Sequence, residues 1–420
     1  MNNQEMIRIE GGSPLYGELS LQGSKNATLP VLAACILIEG KVKLKNCPDI
    51  LDVSNMLQIL QHIGCSISKD AHELVIDAGN ITTSKLPGKF VKQMRSSVLM
   101  LGSLLARTKE AWLDYPGGCV LGGRPIDLHI QAMEKLGASI QINGEYLIGK
   151  AHTLHGNSIV FPFPSVGATQ NAILTAVLAK GDTYLYPAAR EPEVVTLCEF
   201  LTSAGAEIEG AGTSFIHIHG VEKLHEAEFT IPGDRIVAGT YLFLMMGTKG
   251  RLCLHEVPVK QLTVPLEYME RMGAKLVLDQ NDVELEMMSR PVNPSYVEPG
   301  SYPDFPTDLQ SSLLTLACLS HGTLRIRETI FSNRFKICEE LLRMGARISI
   351  EKDQAFVQGV DVLEGRNVIA RELRGGAALV AAGLAAQGVT TVMDAGYIKR
   401  GYEDIVGDLQ RLGAKITLVP

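Results

Sequence analysis

Residues 126–138 read IDLHIQAMEKLGA, an amphipathic segment that stops at a glycine followed by a small residue. Its apolar side chains recur every three to four positions, at Ile126, Ile130, Met133 and Leu136, which predicts a helix with one buried face. Glycine is the usual residue just past such a helix. The same ending recurs at Gly64-Cys65, Gly137-Ala138, Gly205-Ala206, Gly273-Ala274, Gly345-Ala346 and Gly413-Ala414. This spacing of about 70 residues indicates six repeats of one structural unit.

A second series of segments lies between these helices and is apolar nearly all round, which is typical of buried helices. Its members are Ala27–Ile38, Ser97–Ala106, Ala168–Ala179, Ala238–Met246, Leu309–Ser320 and Ala377–Ala386. Alternating segments such as Ala274–Leu278, Thr323–Arg327 and Ala346–Ile350 predict strands. Each repeat is therefore predicted to hold one buried helix, one surface helix and several strands.

The two ends of the sequence complement each other. Ile7–Glu10 and Lys415–Val419 each resemble one half of a hairpin that other repeats possess whole. Pairing them places both ends in one domain, and the six repeats then divide three and three. The predicted domains are residues 24–231, and residues 1–23 together with 232–420. A cleft between two such halves is a common ligand site.

The composition narrows the class of protein. A chain of 420 residues is too long for one ordinary core, and 46% hydrophobic with 20% charged residues is typical of globular proteins. The net charge of −7 argues against a general binder of nucleic acid or membrane surfaces, so any anion site must be local. The scattered cysteines without a CxxC pair, the polar first ten residues and the short apolar runs favour a cytoplasmic protein without membrane insertion.

Cys119 differs from the other seven cysteines, which lie in or beside apolar runs. It stands in the glycine-rich segment YPGGCVLGGRP, residues 115–125. Arg124 follows five residues later, and its permanent cation favours a thiolate or binds an anion. The segment is compatible with a reactive thiol and also with a plain surface turn.

Polar residues concentrate at the predicted helix starts. At the buried helices they are Ser24-Lys25-Asn26, Arg95-Ser96, Ser165-Val166-Gly167, Asp234-Arg235, Thr307-Asp308 and Arg374-Gly375-Gly376. At the surface helices they are Cys119 to Arg124, Arg190-Glu191, Asn333-Arg334 and Arg400-Gly401. Helix N-termini favour anions, and the added cations predict a site for phosphate or carboxylate. Each residue alone is also compatible with a plain role, such as an N-cap at Ser165, Asp234 or Asp308, or a solvated arginine.

Motifs for metals and nucleotide phosphates are absent from the sequence. His217 and His219 share one face of a predicted strand without a third ligand at a recognisable spacing, so no metal site is predicted. Neither a P-loop nor a GxGxxG fingerprint occurs.

Nine short motifs follow one another in a specific order. They are Gly23-Ser24-Lys25-Asn26-Ala27, Met94-Arg95, Pro116-Gly117-Gly118-Cys119, Arg124-Pro125-Ile126-Asp127-Leu128-His129, Ser165-Val166-Gly167-Ala168-Thr169, Ala189-Arg190-Glu191-Pro192-Glu193, Phe305-Pro306-Thr307-Asp308, Asn333-Arg334-Phe335 and Arg400-Gly401-Tyr402-Glu403. Through them essentially the whole chain resembles the UDP-N-acetylglucosamine 1-carboxyvinyltransferase family of enolpyruvyl transferases. The resemblance implies an α/β fold, a two-domain inside-out α/β barrel with three repeats in each domain.

The resemblance also implies a reaction at the start of peptidoglycan synthesis. The 3′-hydroxyl of UDP-N-acetylglucosamine adds to C2 of phosphoenolpyruvate while C3 takes a proton, and the tetrahedral intermediate then loses phosphate. No metal or organic cofactor is implied. Two other functions stay open: 5-enolpyruvylshikimate-3-phosphate synthase, which shares the architecture, and a non-catalytic regulator that binds a UDP-sugar.

Site residues follow from the resemblance position by position. The implied catalytic residues are Cys119 as proton donor, Asp308 as base and Lys25. The phosphoenolpyruvate site comprises Lys25, Asn26, Arg124 and Arg400. The UDP-sugar site comprises Arg95, Arg124, Pro125, Ile126, Asp127, Leu128, Ser165, Val166, Gly167, Asp308 and Ile330. Arg334 and Arg374 are supporting residues, and the glycine-rich loop of Cys119 resembles the family's lid.

A few positions depart from the family pattern. Phe163 stands where some members carry lysine, and Glu372 and Lys399 stand near positions where aspartate is frequent. Gly375-Gly376 replaces the Ala-Ser or Ala-Gly of other members. These departures bear on nucleotide contacts and domain closure rather than on the reaction.

Overall fold

The computed structural model describes residues 5–115 and 126–419. These residues form two compact units. The inserted unit comprises residues 23–115 and 126–232, and the terminal unit comprises residues 5–22 and 233–419. That the predicted segments 24–231 and 1–23 with 232–420 act as separate domains stays a prediction.

The strands are short and evenly distributed along the chain. They are β1 Met6–Glu10, β2 Tyr16–Ser20, β3 Lys41–Lys45, β4 Ser66–Asp70, β5 Glu73–Asp77, β6 Lys85–Leu86, β7 Glu110–Asp114, β8 Ser139–Asn143, β9 Tyr146–Lys150, β10 Ser158–Val160, β11 Asp182–Tyr186, β12 Glu207–Glu209, β13 Ile216–His219, β14 Ala227–Thr230, β15 Arg251–His255, β16 Lys275–Leu278, β17 Val283–Glu286, β18 Tyr296–Val297, β19 Thr323–Arg327, β20 Arg347–Glu351, β21 Gln354–Gln358, β22 Asn367–Ile369, β23 Val389–Met393 and β24 Lys415–Val419.

The helices alternate between buried and surface positions. They are α1 Lys25–Cys35, α2 Leu51–His62, α3 Gly88–Val91, α4 Leu99–Thr108, α5 Asp127–Lys135, α6 Val166–Ala176, α7 Pro192–Ser203, α8 Arg235–Thr248, α9 Thr263–Arg271, α10 Gln310–Leu319, α11 Ile337–Arg343, α12 Leu373–Ala385 and α13 Ile405–Arg411. Short 3-10 helices cover Arg95–Val98, Val259–Gln261, Thr307–Leu309, Arg334–Lys336 and Ala395–Arg400.

The described strands form six four-stranded sheets of one topology, three in each unit. In each sheet a parallel pair is extended by two antiparallel strands, as in the order β18-β19-β21-β20. In the sheet β22-β23-β1-β24, β1 pairs antiparallel with β24, and Ile9 lies opposite Ile416. The predicted pairing of the two end segments is therefore confirmed.

The cores of both units are built on the predicted buried helices, which are α1, α4 and α6 in the inserted unit and α8, α10 and α12 in the terminal unit. In α12 every residue from Leu373 to Leu384 is buried. Helix α4 packs directly on α6, and a Cβ at Gly102 would lie only 2.2 Å from Asn171 Oδ1, so this contact requires glycine. All six predicted buried helices are confirmed, with ends that shift by a few residues.

The six glycines that suggested the repeat all end a helix in the left-handed region. Gly64, Gly137, Gly205, Gly273, Gly345 and Gly413 have φ between 91° and 113°. One predicted helix start was wrong. Helix α13 begins at Ile405, capped by Asp404, whereas Arg400 ends the preceding 3-10 turn.

Over the two described ranges, no helix has both the length and the apolar character needed to cross a membrane.

Candidate active site

The start of α1 carries two of the predicted substrate-binding residues. Ser24 caps the helix by accepting a hydrogen bond from the Ala27 N–H at 3.3 Å. Lys25 Nζ lies 2.8 Å from Asp52 Oδ2, and their side chains are 11% and 2% exposed. Buried charges of this kind persist because they are paired, since either one alone is strongly destabilising. Asn26 is half-buried beside them, so the helix start combines a fixed cation, an amide and backbone N–H groups that suit an anion.

The start of α6 carries three more predicted residues. Ser165 accepts from the Ala168 N–H at 3.4 Å and caps the helix, which confirms the N-cap interpretation. Ser165, Val166 and Gly167 are each partly exposed. The positive end of the α6 dipole is thus accessible to an anionic group.

The start of α5 presents its predicted residues differently. Ile126 and Leu128 are buried, at 2% and 9% exposure, and belong to the core of the inserted unit. Asp127 between them is exposed, in the first turn of the helix. Their side chains therefore anchor the helix start, and only Asp127 offers a side chain to solvent.

His129 was not predicted as a separate site residue, although the family motif contains it. Its Nδ1 lies 3.0 Å from Asn171 Nδ2. Because an amide nitrogen can only donate, Nδ1 accepts and the network assigns the proton to Nε2. Burial, together with the charge of Arg95, lowers the pKa of His129 to about 3, so the ring is neutral. A Cβ at Gly167 would lie 3.2 Å from Nε2, which places the ring against the start of α6.

Arg95 opens the 3-10 turn Arg95–Val98 before α4 and is partly exposed. Cys119, Arg124 and Pro125, which were predicted as catalytic and binding residues, lie outside the described residues.

In the terminal unit, Asp308 lies between two arginines. Arg334 Nη2 donates to Asp308 Oδ1 at 2.6 Å, and Arg374 Nη2 donates to Asp308 Oδ2 at 3.3 Å. The two arginine side chains are 1% and 5% exposed, whereas that of Asp308 is 30% exposed. The carboxylate is therefore held by two buried cations while part of its own surface stays accessible to solvent.

The N-cap interpretation of Asp308 was wrong. Asp308 lies inside the 3-10 turn Thr307–Leu309, which has Pro306 at its cap position, and α10 begins only at Gln310. Ion pairs with two guanidinium groups are stronger than one backbone N–H bond, and they turn the carboxylate away from the helix. The N-cap interpretation of Asp234 is confirmed, because its carboxylate accepts from the N–H groups of Ile236 and Val237.

The two arginines retain hydrogen-bonding capacity. Arg334 Nη1 and Arg374 Nη1 are buried and have no hydrogen-bond acceptor within the described ranges. An unsatisfied buried donor on a charged group is costly, so a ligand oxygen or water is the expected acceptor. Glu372 Oε2 lies 3.9 Å from Arg334 Nη1, too far for a hydrogen bond.

Glu372, one of the departures from the family pattern, is the N-cap of α12. Its carboxylate accepts hydrogen bonds from the N–H groups of Arg374, at 2.7 Å, and Gly375. Glu372, whose side chain is longer than the aspartate frequent near this position, therefore caps the helix start that carries Arg374.

Arg400 is partly exposed at the end of its 3-10 turn, and the backbone just after it is held by Gln22. Gln22 Nε2 donates to the Gly401 carbonyl at 3.1 Å, and Gln22 Oε1 accepts from the Glu403 N–H at 3.0 Å. Lys399, another departure, is exposed and pairs with Glu5 at 2.6 Å.

Two further predicted residues are exposed. Ile330 is 41% exposed, and its backbone N–H is bonded to the buried carboxylate of Glu328 at 2.8 Å. Phe163, in the place of a lysine, is 58% exposed two residues before Ser165.

The structure thus brings together Asp308, Arg334 and Arg374 in one cluster, and it adds partners that the sequence did not identify. These are Asp52, His129, Asn171, Glu328 and Gln22. Glu328 has no local sequence signal for burial, whereas Asp52 stands between two apolar residues, Leu51 and Val53.

In the part of the chain that the structure describes, no group of three or more His, Cys, Asp or Glu side chains is arranged to hold a metal ion. His217 Nε2 and His219 Nδ1 share one strand face as predicted, and both contact Asp182 Oδ1, at 2.8 Å and 2.9 Å.

A family model and several known proteins match this chain over nearly its full length. The model of the family described as EPSP synthase (3-phosphoshikimate 1-carboxyvinyltransferase) matches residues 9–409. The UDP-N-acetylglucosamine 1-carboxyvinyltransferase 2 of Caldanaerobacter subterraneus subsp. tengcongensis is 44% identical over 98% of this chain and 99% of its own length. The UDP-N-acetylglucosamine 1-carboxyvinyltransferase of Synechocystis is 39% identical over 99% of this chain and 96% of its own length.

Among solved structures, the enolpyruvyl transferase NikO from Streptomyces tendae superposes with a TM-score of 0.91 at 25% identity and full coverage of both chains. EPSP synthase from Acinetobacter baumannii, with a TM-score of 0.77 at 18% identity over 99% of this chain and all of its own, shares the fold. The predicted inside-out α/β barrel is confirmed by these neighbours.

Proposed function

Since this chain belongs to the family of EPSP synthase (3-phosphoshikimate 1-carboxyvinyltransferase), we propose that it transfers the enolpyruvyl group of phosphoenolpyruvate to the 3′-hydroxyl of UDP-N-acetylglucosamine. Inorganic phosphate is the second product, and the reaction is the first committed step of peptidoglycan synthesis. The observation that carries this choice of acceptor is the 39–44% identity, over nearly full length, to relatives with that name.

In this proposal Asp308 is the base for the sugar hydroxyl. A general base must be accessible, ionised and within hydrogen-bond reach of the proton that it takes. The accessible carboxylate of Asp308, which pairs with Arg334 and Arg374 in the terminal unit, supports this role. The hydroxyl oxygen bonds to C2 as its proton passes to Asp308, and C3 takes a proton from Cys119. A C3 proton is then lost with phosphate, which restores the enol double bond.

The cations hold the anionic substrates. Lys25, Asn26, Arg124 and Arg400 are assigned to phosphoenolpyruvate. The buried Lys25–Asp52 pair supports this role for Lys25 because it fixes the ammonium at a helix start. Arg334 and Arg374 are assigned a supporting role, since the Nη1 atom of each is buried without a protein acceptor in the described ranges.

The sugar nucleotide is assigned to a second set of positions. They are Arg95, Arg124, Pro125, Ile126, Asp127, Leu128, Ser165, Val166, Gly167, Asp308 and Ile330. Because the side chains of Ile126 and Leu128 are buried, these two residues would contribute backbone groups. The accessible start of α6 suits a phosphate of the nucleotide.

We propose no metal or organic cofactor, and the cytoplasmic location stays a prediction.

A phosphate-release assay tests the function. The protein is mixed with phosphoenolpyruvate and either UDP-N-acetylglucosamine or shikimate 3-phosphate. We expect release with the UDP-sugar only. Release with shikimate 3-phosphate instead would assign the chain to the other branch of the family, and binding of the UDP-sugar without release would indicate a non-catalytic protein.

A further inference from the structure

Glu328 is a buried acid that the reaction does not use directly. It follows β19, is 3% exposed, and has no ion-pair partner within the described residues. Its carboxylate instead accepts three hydrogen bonds, from Thr307 Oγ1 at 2.7 Å, from the Ile330 N–H at 2.8 Å and from the Phe331 N–H at 3.1 Å. Burying a carboxylate costs free energy unless its oxygens accept hydrogen bonds. These three bonds meet that need and hold the three donors in place.

The Thr307 hydroxyl donates to Glu328 Oε2, so its proton points at the carboxylate. The lone pairs of Oγ1 then face the other way, and Arg334 Nε donates to them at 3.3 Å. The same guanidinium donates from Nη2 to Asp308 at 2.6 Å.

Two segments are therefore tied to one carboxylate. One contains Thr307 and Asp308, and the other begins at Ile330 and continues to Arg334. Arg334 also packs over the Phe331 ring, with 5.0 Å between its guanidinium carbon and the ring centroid. Glu328 is thus bonded to the backbone at Ile330 and, through Thr307, connected to the guanidinium that holds Asp308.

We propose that Glu328 and Thr307 are positioning residues that orient Asp308 through Arg334, while Glu328 separately places the Ile330 segment against the sugar nucleotide. This inference rests on the proposed function. Neither residue touches the reacting atoms in it, so their effect is on the alignment of the base.

Thr307→Val removes the hydroxyl but keeps the shape of the side chain. We expect kcat to fall roughly 10- to 100-fold, the scale of a misplaced catalytic group. The KM for UDP-N-acetylglucosamine should stay within about threefold, because Glu328 still holds Ile330 in this variant. Thr307→Ser restores the hydroxyl and should restore kcat. Thr315→Val is the matched control, since Thr315 is a buried threonine in α10 whose hydroxyl has no partner among the described residues.

Glu328→Gln tests the direction of the hydrogen bond between Thr307 and Glu328. Its oxygen can keep the two backbone N–H bonds, but its amide nitrogen would donate to Thr307 and compete with Arg334. We expect the same split as in Thr307→Val, a lower kcat with an unchanged KM. Circular dichroism and the melting temperature establish that each variant is folded. Glu364→Gln, an exposed glutamate in the same unit, is the surface control.

The inference is wrong if Thr307→Val and Glu328→Gln retain kcat within about threefold of the wild type, or if Thr307→Ser falls as far as Thr307→Val. Carbon-13 titration of the aspartate carboxylates, with Asp308→Asn to assign the signal, gives a readout without turnover. In Thr307→Val the Asp308 signal should titrate at higher pH, because the carboxylate loses part of its cation pairing. A wild type that releases no phosphate would overturn the proposed function, whereas an unmoved titration would overturn this inference alone.

Discussion

The start of α1 and the cluster around Asp308 hold charge in opposite ways. At α1 a cation, Lys25, is presented by a more deeply buried carboxylate, Asp52. At Asp308 a carboxylate is presented by two more deeply buried cations, Arg334 and Arg374. In both regions the inner partner is almost inaccessible, and the outer partner is the residue that we propose to act on the substrates. The difference teaches that the sign of the inner charge sets the sign of the outer one, which suits the proposed anion binding at Lys25 and the proposed proton removal at Asp308.

The largest expected effect comes from neutralising the outer group of the second region. Asp308→Asn keeps the size of the side chain but cannot take a proton, so we expect kcat to fall by about 10²- to 10⁴-fold. Phosphate release measures the loss, and Asp361→Asn, at an exposed aspartate of the same unit, is the control. Retention of more than a tenth of the wild-type rate would mean that Asp308 is not the base.

Cys119, which is not among the described residues, tests whether a separate proton donor exists. We expect fosfomycin to alkylate this thiol and abolish activity, more rapidly in the presence of the UDP-sugar. Cys119→Asp should keep some turnover, since a carboxylic acid can donate a proton, and should resist the drug. Peptide mapping locates the adduct, and a label on another cysteine would contradict the assignment.

The inner partner of the first region should matter for stability. Asp52→Asn removes the carboxylate charge that pairs with the buried Lys25 ammonium, and we expect the free energy of unfolding to fall by about 3–5 kcal/mol. The double variant Lys25→Met with Asp52→Leu should recover most of that stability but not the activity. Urea unfolding and phosphate release measure the two properties. Recovery of activity in the double variant would show that Lys25 is only structural.

His129 gives the inserted unit a dependence on pH. Its pKa in the folded state, about 3, is far below that of an exposed histidine, because burial disfavours the charged ring. Between these two values the unfolded chain binds the proton and the folded chain does not. The stabilisation is therefore fully present above about pH 6.5 and is lost as the pH falls towards 3. We expect a loss of a few kcal/mol between pH 7 and 4 that is smaller in His129→Gln, measured by urea unfolding at each pH.

The smallest effect is expected at Glu372. Glu372→Asp shortens the cap of α12 but keeps a carboxylate at the helix start, so kcat should stay within about threefold of the wild type. Glu372→Ala removes the cap and should lower stability by about 1 kcal/mol. Thermal unfolding and the phosphate assay measure both variants. A large loss of turnover in Glu372→Asp would place this carboxylate in the reaction itself.

The repeats could be predicted because their signals are local. A glycine after an amphipathic helix, an all-apolar helix and an alternating strand each follow from a few neighbouring residues, as at Gly345, α12 and β20. The pairing of β14 with β3 was not predicted, because it joins residues such as Ala227 and Val42, 185 positions apart, and no local pattern relates them. The pairing of β1 with β24 was predicted only because each lacked its partner nearby.

The site was predicted in part, by resemblance rather than by spacing. Asp308 was predicted as the base from the resemblance, and this stays a prediction; its bonds to Arg334 and Arg374 span 26 and 66 residues, and no local pattern predicts them. For the same reason the N-cap interpretation of Asp308 was wrong while those of Ser165 and Asp234 were correct. The cap is a local choice, and only a tertiary contact overrides it. Burial of Glu328 likewise depends on the packed structure.

The pairing of β1 with β24 has a consequence for biosynthesis. Residues 23–232 are contiguous, so every native strand partner of the inserted unit is available once β14 has left the ribosome. Among the described strands β1 is the first to be made and both of its partners, β23 and β24, are the last, with Lys415 pairing to Glu10 across 405 residues. During translation the backbone groups of β1 therefore stay unpaired until β23 and β24 have been made. A chain truncated before residue 389 would lack both partners, and its exposed β1 would be prone to aggregation.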